Sequence, residues 1–175
     1  MENQGANPMK QIQLEKVVIN MGIGSEENMF QNAKMLLEKL TSHKPVATKA
    51  RKRAPEFKIR KGQIIGAMVT LRRDEARSML KRALEAVDNT VKESSIAGNS
   101  LSFGVSEYIY FSGIKYDPKI GMFGVNVNAT FARRGKRVER RKRKTGAVGM
   151  KHSQVMRDEI VDYIGKNFNA KISGG

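Results

Sequence analysis

The sequence predicts an α+β fold, in which a mostly antiparallel five-stranded sheet carries helices packed on one face. Two patterns support this prediction. Short segments alternate apolar with polar residues, as half-buried strands do, and three longer segments repeat apolar residues at helical spacing. The order of these segments, β-α-β-β-β-α-β-α, is typical of an antiparallel sheet with helices on one side. A length of 175 residues fits a single domain, 1–175.

Five segments have the composition or the alternation of strands. The first is rich in β-branched residues, and the others alternate apolar side chains with polar or basic ones. The five segments are Leu14–Asn20, Val46–Arg51, Phe57–Arg60, Ile65–Arg72 and Met122–Arg133. A further segment, Leu101–Phe111, is compatible with a strand and equally with irregular structure.

Three segments predict helices, because each starts at a residue that can cap a helix and then carries an apolar stripe. They run from Ser25 to about Thr41, from Asp74 to about Ala97, and from Ser153 to about Phe168. Outside the strands and helices we expect a flexible tail at 1–9, a projecting basic loop at 51–63 and a basic insertion at 133–149.

The basic excess is concentrated in two short runs. The chain carries 33 Lys and Arg residues against 17 acidic ones, which gives a net charge of +16. Lys44–Lys61 holds eight cations and one acid, and Arg133–Lys144 holds nine cations and one acid. Because like charges destabilise the compact state, this local excess indicates a polyanionic partner, bound more weakly as salt rises.

Several classes of function lack the residues that they need. The chain has no cysteine and only two histidines, far apart in the sequence. Gly22-Ile23-Gly24 follows a strand, but Glu27 occupies the third glycine position of a dinucleotide site. Ser78-Met79-Leu80-Lys81 and Lys144-Thr145-Gly146 occur without the Ser-Asp-Asn element of penicillin-binding enzymes. We therefore predict no catalytic, cofactor-binding or metal-binding residue, no small-molecule substrate and no membrane partner.

The polar sides of the predicted strands form a candidate RNA surface, with Val46, Thr48 and Ala50 expected on the opposite, apolar side. Amides, hydroxyls and cations with few aromatic rings suit the phosphates and sugar hydroxyls of folded RNA. The predicted RNA contacts on this surface are Asn20, Lys49, Arg51, Lys58, Thr70, Arg72, Asn126, Asn128 and Thr130. In the second basic run they are Arg133, Arg134, Arg137, Arg140, Arg141 and Arg143. We expect that run to order only on RNA, because it has no apolar face to bury.

Specific motifs are spread over nearly the whole chain. They are Lys16–Gly24 (KVVINMGIG), Lys49–Arg53 with Phe57–Gly66 (FKIRKGQIIG), Val69–Arg72 (VTLR), Phe103–Tyr108 (FGVSEY), Gly113–Gly121 (GIKYDPKIG) and Phe123–Val127 (FGVNV). Together they resemble large-subunit ribosomal protein five in its archaeal form, the counterpart of the eukaryotic protein numbered eleven. The insertion Arg133–Gly149 is similar to one that archaeal and eukaryotic members carry and bacterial members lack.

The resemblance implies a structural protein of the large subunit of the cytoplasmic ribosome, which is not an enzyme and holds no cofactor. The implied role is to bind 5S rRNA and attach it in the central protuberance. The implied partners also include large-subunit rRNA, P-site tRNA, a small-subunit head protein and a neighbouring 5S-binding ribosomal protein. The loop matching Arg51–Gln63 would reach the tRNA and the head protein through Lys52, Arg53, Arg60 and Lys61. The alternatives are a basic RNA-modifying enzyme and a non-ribosomal nucleic-acid-binding protein.

Overall fold

The computed structural model describes residues 7–24 and 27–173. In these ranges the strands are β1 Ile12–Gly22, β2 Val46–Lys49, β3 Ile64–Leu71, β4 Thr90–Lys92, β5 Ile96–Ala97, β6 Ser100–Val105, β7 Val125–Arg133 and β8 Lys171–Ser173. The helices are α1 Glu27–Thr41, α2 Arg73–Glu85, α3 Arg137–Arg140, α4 Met150–Ser153 and α5 Arg157–Phe168. Asn7 caps a single 3-10 turn at Pro8–Lys10 that precedes β1, and residues 1–6 of the predicted tail lie outside the described residues.

Six strands form one antiparallel sheet in the order β2-β3-β1-β7-β6-β5, and β4 pairs with β8 in parallel outside it. The predicted α+β class and the mostly antiparallel sheet are therefore confirmed. The main sheet has six strands instead of five. The segment Leu101–Phe111, which the sequence left open, contributes most of β6, and Ile96–Ala97 adds β5 at the edge.

The core lies between one face of the sheet and the long helices. Val17, Ile19 and Met21 of β1 are fully buried, and the register sets apolar residues of β3 and β7 beside them. Residues of α1, α2 and α5 belong to the same buried cluster, and Tyr163 of α5 meets Phe131 of β7 edge-on, with ring centroids 5.5 Å apart. Burial of each large apolar side chain contributes about 1.5–3 kcal/mol. Helix packing on one face is thus as predicted.

The strand predicted at Phe57–Arg60 is wrong. Pro55–Phe57 forms a 3-10 turn, because proline fixes the φ angle that such a turn requires. Lys58 then adopts a left-handed conformation, with φ 56°, and returns the chain. Phe57, which the alternation placed on an apolar side, is 69% exposed.

The second helix is shorter than its apolar stripe predicts. It ends at Glu85, because Asp88 and Asn89 take positive φ angles of 55° and 52° and leave the helical conformation. The Asn89 N–H donates to the Leu84 carbonyl at 2.8 Å and closes the helix end. Val91, which continued the stripe at helical spacing, belongs instead to β4.

The start of the last helix also differs from the prediction. Ser153 ends the short helix α4, where its hydroxyl donates to the Met150 carbonyl at 3.3 Å. The cap of α5 is formed by Glu159, whose carboxylate accepts from the Met156 N–H at 2.9 Å. The cap predicted at Ser25 lies outside the described residues. No helix in the described part of the chain has the length and apolar character needed to cross a bilayer.

Candidate nucleic-acid interface

The face of the sheet turned away from the helices carries mainly small polar residues, with a few apolar ones and one lysine in its rows, and we call it the outer sheet face. Residues paired directly across antiparallel strands share a face of the sheet. One row runs Val46, Met68, Asn20, Asn126, Gly104, the next runs Thr70, Val18, Asn128, Ser102, and the third runs Lys16, Thr130, Ser100. The predicted residues Asn20, Thr70, Asn126, Asn128 and Thr130 are therefore brought together on one surface.

Two glycines keep the outer sheet face shallow. A Cβ atom added at Gly66 would lie 2.5 Å from the Met21 carbonyl oxygen and 2.7 Å from Thr48 Oγ1. A Cβ added at Gly104 would lie 3.3 Å from Asn126 Oδ1. Glycine at these positions therefore leaves room for the Met21 carbonyl, the Thr48 hydroxyl and the Asn126 amide, where a larger residue would collide with them.

The second strand contributes to the outer sheet face differently from the prediction. Val46 and Thr48 pair with Met68 and Gly66, so they lie on the same side as Asn20 and not on the apolar side. The alternation failed because Val46 is an edge residue, 59% exposed, whose apolar character says nothing about the core. Lys49 is exposed at the end of β2, after a shift in the register. Ala50, just beyond it, is buried as expected.

The segment 51–63, the basic loop, projects between β2 and β3 and is tied together by backbone hydrogen bonds. At its base the Ala50 N–H donates to the Gln63 carbonyl at 2.8 Å, and the Gly62 N–H donates to the Ala50 carbonyl at 2.9 Å. Nearer the tip Ala54 and Ile59 exchange two hydrogen bonds of 3.0 Å. Arg51 and Lys58 therefore belong to the basic loop and not, as predicted, to the polar side of a strand.

The tip of the basic loop combines cations with one aromatic ring. A cavity of about 560 Å³ is lined by Arg53, Pro55, Lys58, Ile59 and Arg60. Lys52 and Lys61 are also exposed, so all four residues predicted to contact tRNA lie in this loop. Phe57 was not among the predicted contacts, although an exposed aromatic ring between a proline and a run of cations is suited to base stacking.

The basic insertion, 133–149, is attached to the core through two ion pairs. Arg133 Nη2 lies 2.8 Å and 2.7 Å from the two carboxylate oxygens of Glu159, and Arg133 Nη1 donates to the Lys10 carbonyl at 3.1 Å. The Arg133 side chain is only 12% exposed. Arg140 donates to Glu15 Oε1, and the Glu15 side chain is likewise 12% exposed.

The other predicted arginines of the insertion, Arg134, Arg137, Arg141 and Arg143, are exposed. Within the insertion, the Gly146 N–H donates to the Val138 carbonyl at 3.2 Å, which closes the segment into a compact loop. No residue of 134–149 is buried, as expected for a run without an apolar face. Arg133 and Arg140 nevertheless pair with acidic residues distant in the chain, which the sequence alone does not show. Its order in the free protein stays a prediction.

The GIKYDPKIG motif contacts neighbouring elements through Asp117. Asp117 Oδ2 accepts from Lys39 Nζ at 2.6 Å, Asp117 Oδ1 accepts from the Lys119 N–H at 3.1 Å, and the Asp117 N–H donates to the buried Tyr108 hydroxyl at 3.1 Å. The Lys39 ammonium and the Lys119 N–H hold the pKa of Asp117 below its ordinary value. The motif therefore fastens the β6–β7 loop to α1.

An open α+β sheet that presents amides and hydroxyls, with cations on two segments beside it, defines a nucleic-acid-binding protein. No group of residues suited to holding a metal ion occurs among the residues described. The surface is matched to an extended polyanion, since its cations lie on separate elements and not around one enclosed pocket.

Comparison with known proteins identifies the family. The family model described as Ribosomal protein L5 matches residues 7–60, and the model for the C-terminus of the same family matches residues 64–161. Large ribosomal subunit protein uL5 of Sulfurisphaera tokodaii is 42% identical over 176 residues, which covers 99% of both chains. The proteins of the same name from Picrophilus torridus and Pyrobaculum aerophilum are 42% and 40% identical, over 96% and 95% of this chain and 96% and 93% of theirs. The chain therefore belongs to the ribosomal protein L5 family.

Membership of this family confirms the resemblance found in the sequence motifs. The chain is a ribosomal protein of the large subunit, similar to archaeal members, and it resides in the cytoplasmic ribosome with rRNA and other ribosomal components as its partners. Its relatives are structural proteins of the ribosome.

Proposed function

We propose that the outer sheet face binds 5S rRNA. The observation that carries this proposal is the rows of small polar side chains, in which Asn20 lies directly opposite Asn126, and Thr70 and Asn128 flank Val18. A wide, shallow RNA minor groove displays sugar hydroxyls and base edges that such groups can reach. Asparagine both donates and accepts hydrogen bonds, as the 2′-hydroxyl does, so the two form reciprocal pairs.

Cations at the margin of this face supply the phosphate contacts. Arg72 follows β3 at the start of α2, and Lys49 ends β2; both are exposed. Phosphate contacts fix the register of the RNA on the protein, while contacts to hydroxyls and base edges distinguish one RNA from another. Apart from Lys16 the rows are neutral, so their contacts supply specificity, while the cations at the margin supply most of the affinity.

The two basic segments extend the proposal beyond 5S rRNA. The basic insertion attaches 5S rRNA to large-subunit rRNA in the central protuberance, beside a neighbouring 5S-binding ribosomal protein. The basic loop contacts P-site tRNA and a small-subunit head protein, because it projects between two strands and carries exposed cations at its tip. The role is structural, without catalysis or a cofactor.

The proposal is tested with the double variant Arg72→Ala/Asn126→Ala in a filter-binding titration with 5S rRNA. Each lost hydrogen bond to a charged group costs about 1–3 kcal/mol, so we expect affinity to fall at least about ten-fold. The thermal melt should stay unchanged, since both side chains are exposed. Arg77→Ala is the matched control, because it removes the same charge from the exposed side of α2 and should leave the affinity within about two-fold.

Competition separates this function from the alternatives. Duplex DNA and anionic vesicles compete with 5S rRNA through phosphate charge alone, so at physiological salt they should displace it poorly. Equal competition by duplex DNA would show a general basic protein, and unchanged binding of the double variant would remove the outer sheet face from the site.

A further inference from the structure

We propose that Glu15 is a positioning residue, which holds the basic insertion in place before RNA arrives. This proposal replaces the prediction from the sequence that the insertion orders only on RNA, and it leaves the remaining cations as a preset phosphate-binding strip. This inference rests on the proposed RNA binding of the insertion. A carboxylate within a basic RNA-binding surface repels the ligand, so its presence there requires a separate cause. The contacts of Glu15 supply that cause.

Glu15 occupies an irregularity in β1 that directs its side chain. Leu14 pairs with Phe131 and Lys16 with Thr130, so two steps along β1 correspond to one along β7, and Glu15 is the extra residue. Such a bulge turns a side chain out of the regular alternation. It lies opposite the end of β7, where the basic insertion leaves the sheet.

The side chain of Glu15 is oriented towards the insertion. Its Oε1 accepts from Arg140, and a cavity of about 420 Å³ brings it together with Arg134, Lys136 and Arg137. Burial raises the pKa of Glu15, but the hydrogen bond and charge of Arg140, helped by Lys136 and Lys16, outweigh it and keep the carboxylate ionised. Oε2 is buried and has no hydrogen-bond partner among the described residues.

The ion pairs that hold the insertion involve only a few of its cations. Arg133 and Arg140 are tied to carboxylates, and Arg134, Arg137, Arg141, Lys142, Arg143 and Lys144 are exposed. Fixing these side chains near one another before binding reduces the entropy that RNA binding must otherwise overcome. The arrangement places one negative charge near the RNA-binding cations, and Arg140 neutralises it.

The variant Glu15→Gln tests the proposal, because the direction of the change in rRNA affinity distinguishes positioning from simple charge repulsion. The variant raises the net charge by one, so electrostatics alone predicts tighter binding to large-subunit rRNA of an archaeon. Positioning predicts weaker binding, by about three- to ten-fold, with a smaller salt slope because fewer phosphates are neutralised together. Glu139→Gln is the matched control: Glu139 lies within α3 and acts on Arg140 through its charge, without a hydrogen bond to it among the described residues. Its loss should tighten binding by about two-fold.

A second measurement on the free protein keeps this inference separate from RNA binding itself. Hydrogen exchange at the Gly146 and Arg141 amides should accelerate in Glu15→Gln, and should not change in Glu139→Gln. Arg140→Gln breaks the same ion pair from its exposed side and should accelerate exchange equally, whereas Arg143→Gln should not. If Glu15→Gln binds rRNA more tightly, or leaves exchange unchanged, Glu15 does not position the insertion. If hydrogen exchange changes as expected but the parent protein and all variants fail to bind rRNA, Glu15 positions the insertion and the proposed RNA-binding function is wrong.

Discussion

Replacing Gly66 by alanine should destabilise the sheet where β3 pairs with the end of β1. The added methyl group would lie 2.5 Å from the Met21 carbonyl oxygen, about 0.9 Å closer than an ordinary carbon–oxygen contact. Met21 belongs to the β1–β3 ladder, so the strands must separate to make room. Overpacking of this kind costs about 3 kcal/mol, which lowers the melting temperature by about 6–12 °C in a chain of this size.

The matched control is Gly22→Ala, because Gly22 is the direct partner of Gly66 across the two strands and nothing lies within 4 Å of a Cβ added there. An alanine at Gly22 should leave stability unchanged or raise it by about 0.5 kcal/mol, through the unfolded chain. Both variants are followed by thermal circular dichroism. Adding Thr48→Ala should not rescue Gly66→Ala, since the carbonyl contact remains. Equal melting temperatures for the two glycine variants would refute the reasoning.

Three further predictions concern the loops. Lys52→Ser/Arg53→Ser should spare 5S rRNA binding and weaken retention of P-site tRNA by assembled ribosomes; the reverse result would assign the basic loop to 5S rRNA. Tyr108→Phe removes the acceptor of the Asp117 N–H and should lower the free energy of unfolding by about 1 kcal/mol in urea. An unchanged free energy of unfolding would contradict the role of the GIKYDPKIG motif in fastening the β6–β7 loop. Lys39→Met should raise the pKa of Asp117, measured by carboxyl NMR. Because that pKa lies below the ordinary value of 3.8, the Lys39 pair stabilises the protein above that pH and loses its effect as pH falls through the folded pKa.

Alternation predicted the strands whose two faces differ, and failed where they do not. β3 and β7 follow the alternation closely, because each has core on one side and open surface on the other, whereas β1 was predicted from its β-branched residues. Val46 and Phe57 are apolar and exposed, so their pattern was misleading. The second helix was predicted to extend beyond Glu85 for a similar reason. Val91 fits helical spacing, but the left-handed residues Asp88 and Asn89 precede it and end the helix.

The candidate site was predictable in its composition and only partly in its arrangement. The rows around Asn20 and Asn126 follow from alternation, whereas the pairing of Glu15 with Arg140 joins residues far apart in the chain through a bulge. A bulge adds one residue and leaves no composition signal. Local patterns therefore identified which residues face outward, and could not show which cations a distant carboxylate holds.

The position of β1 in the middle of the sheet has a consequence for the synthesis of the protein. Asn20 pairs with Asn126, which the ribosome adds roughly a hundred residues later, a delay on the order of ten seconds. Until β7 emerges, β1 lacks one of its two neighbours and the rows of amides cannot assemble. The nascent chain therefore exposes its basic loop well before the outer sheet face is complete. On the proposed function, products that end before β7 should not bind the RNA, because they lack Asn126, Asn128 and Thr130.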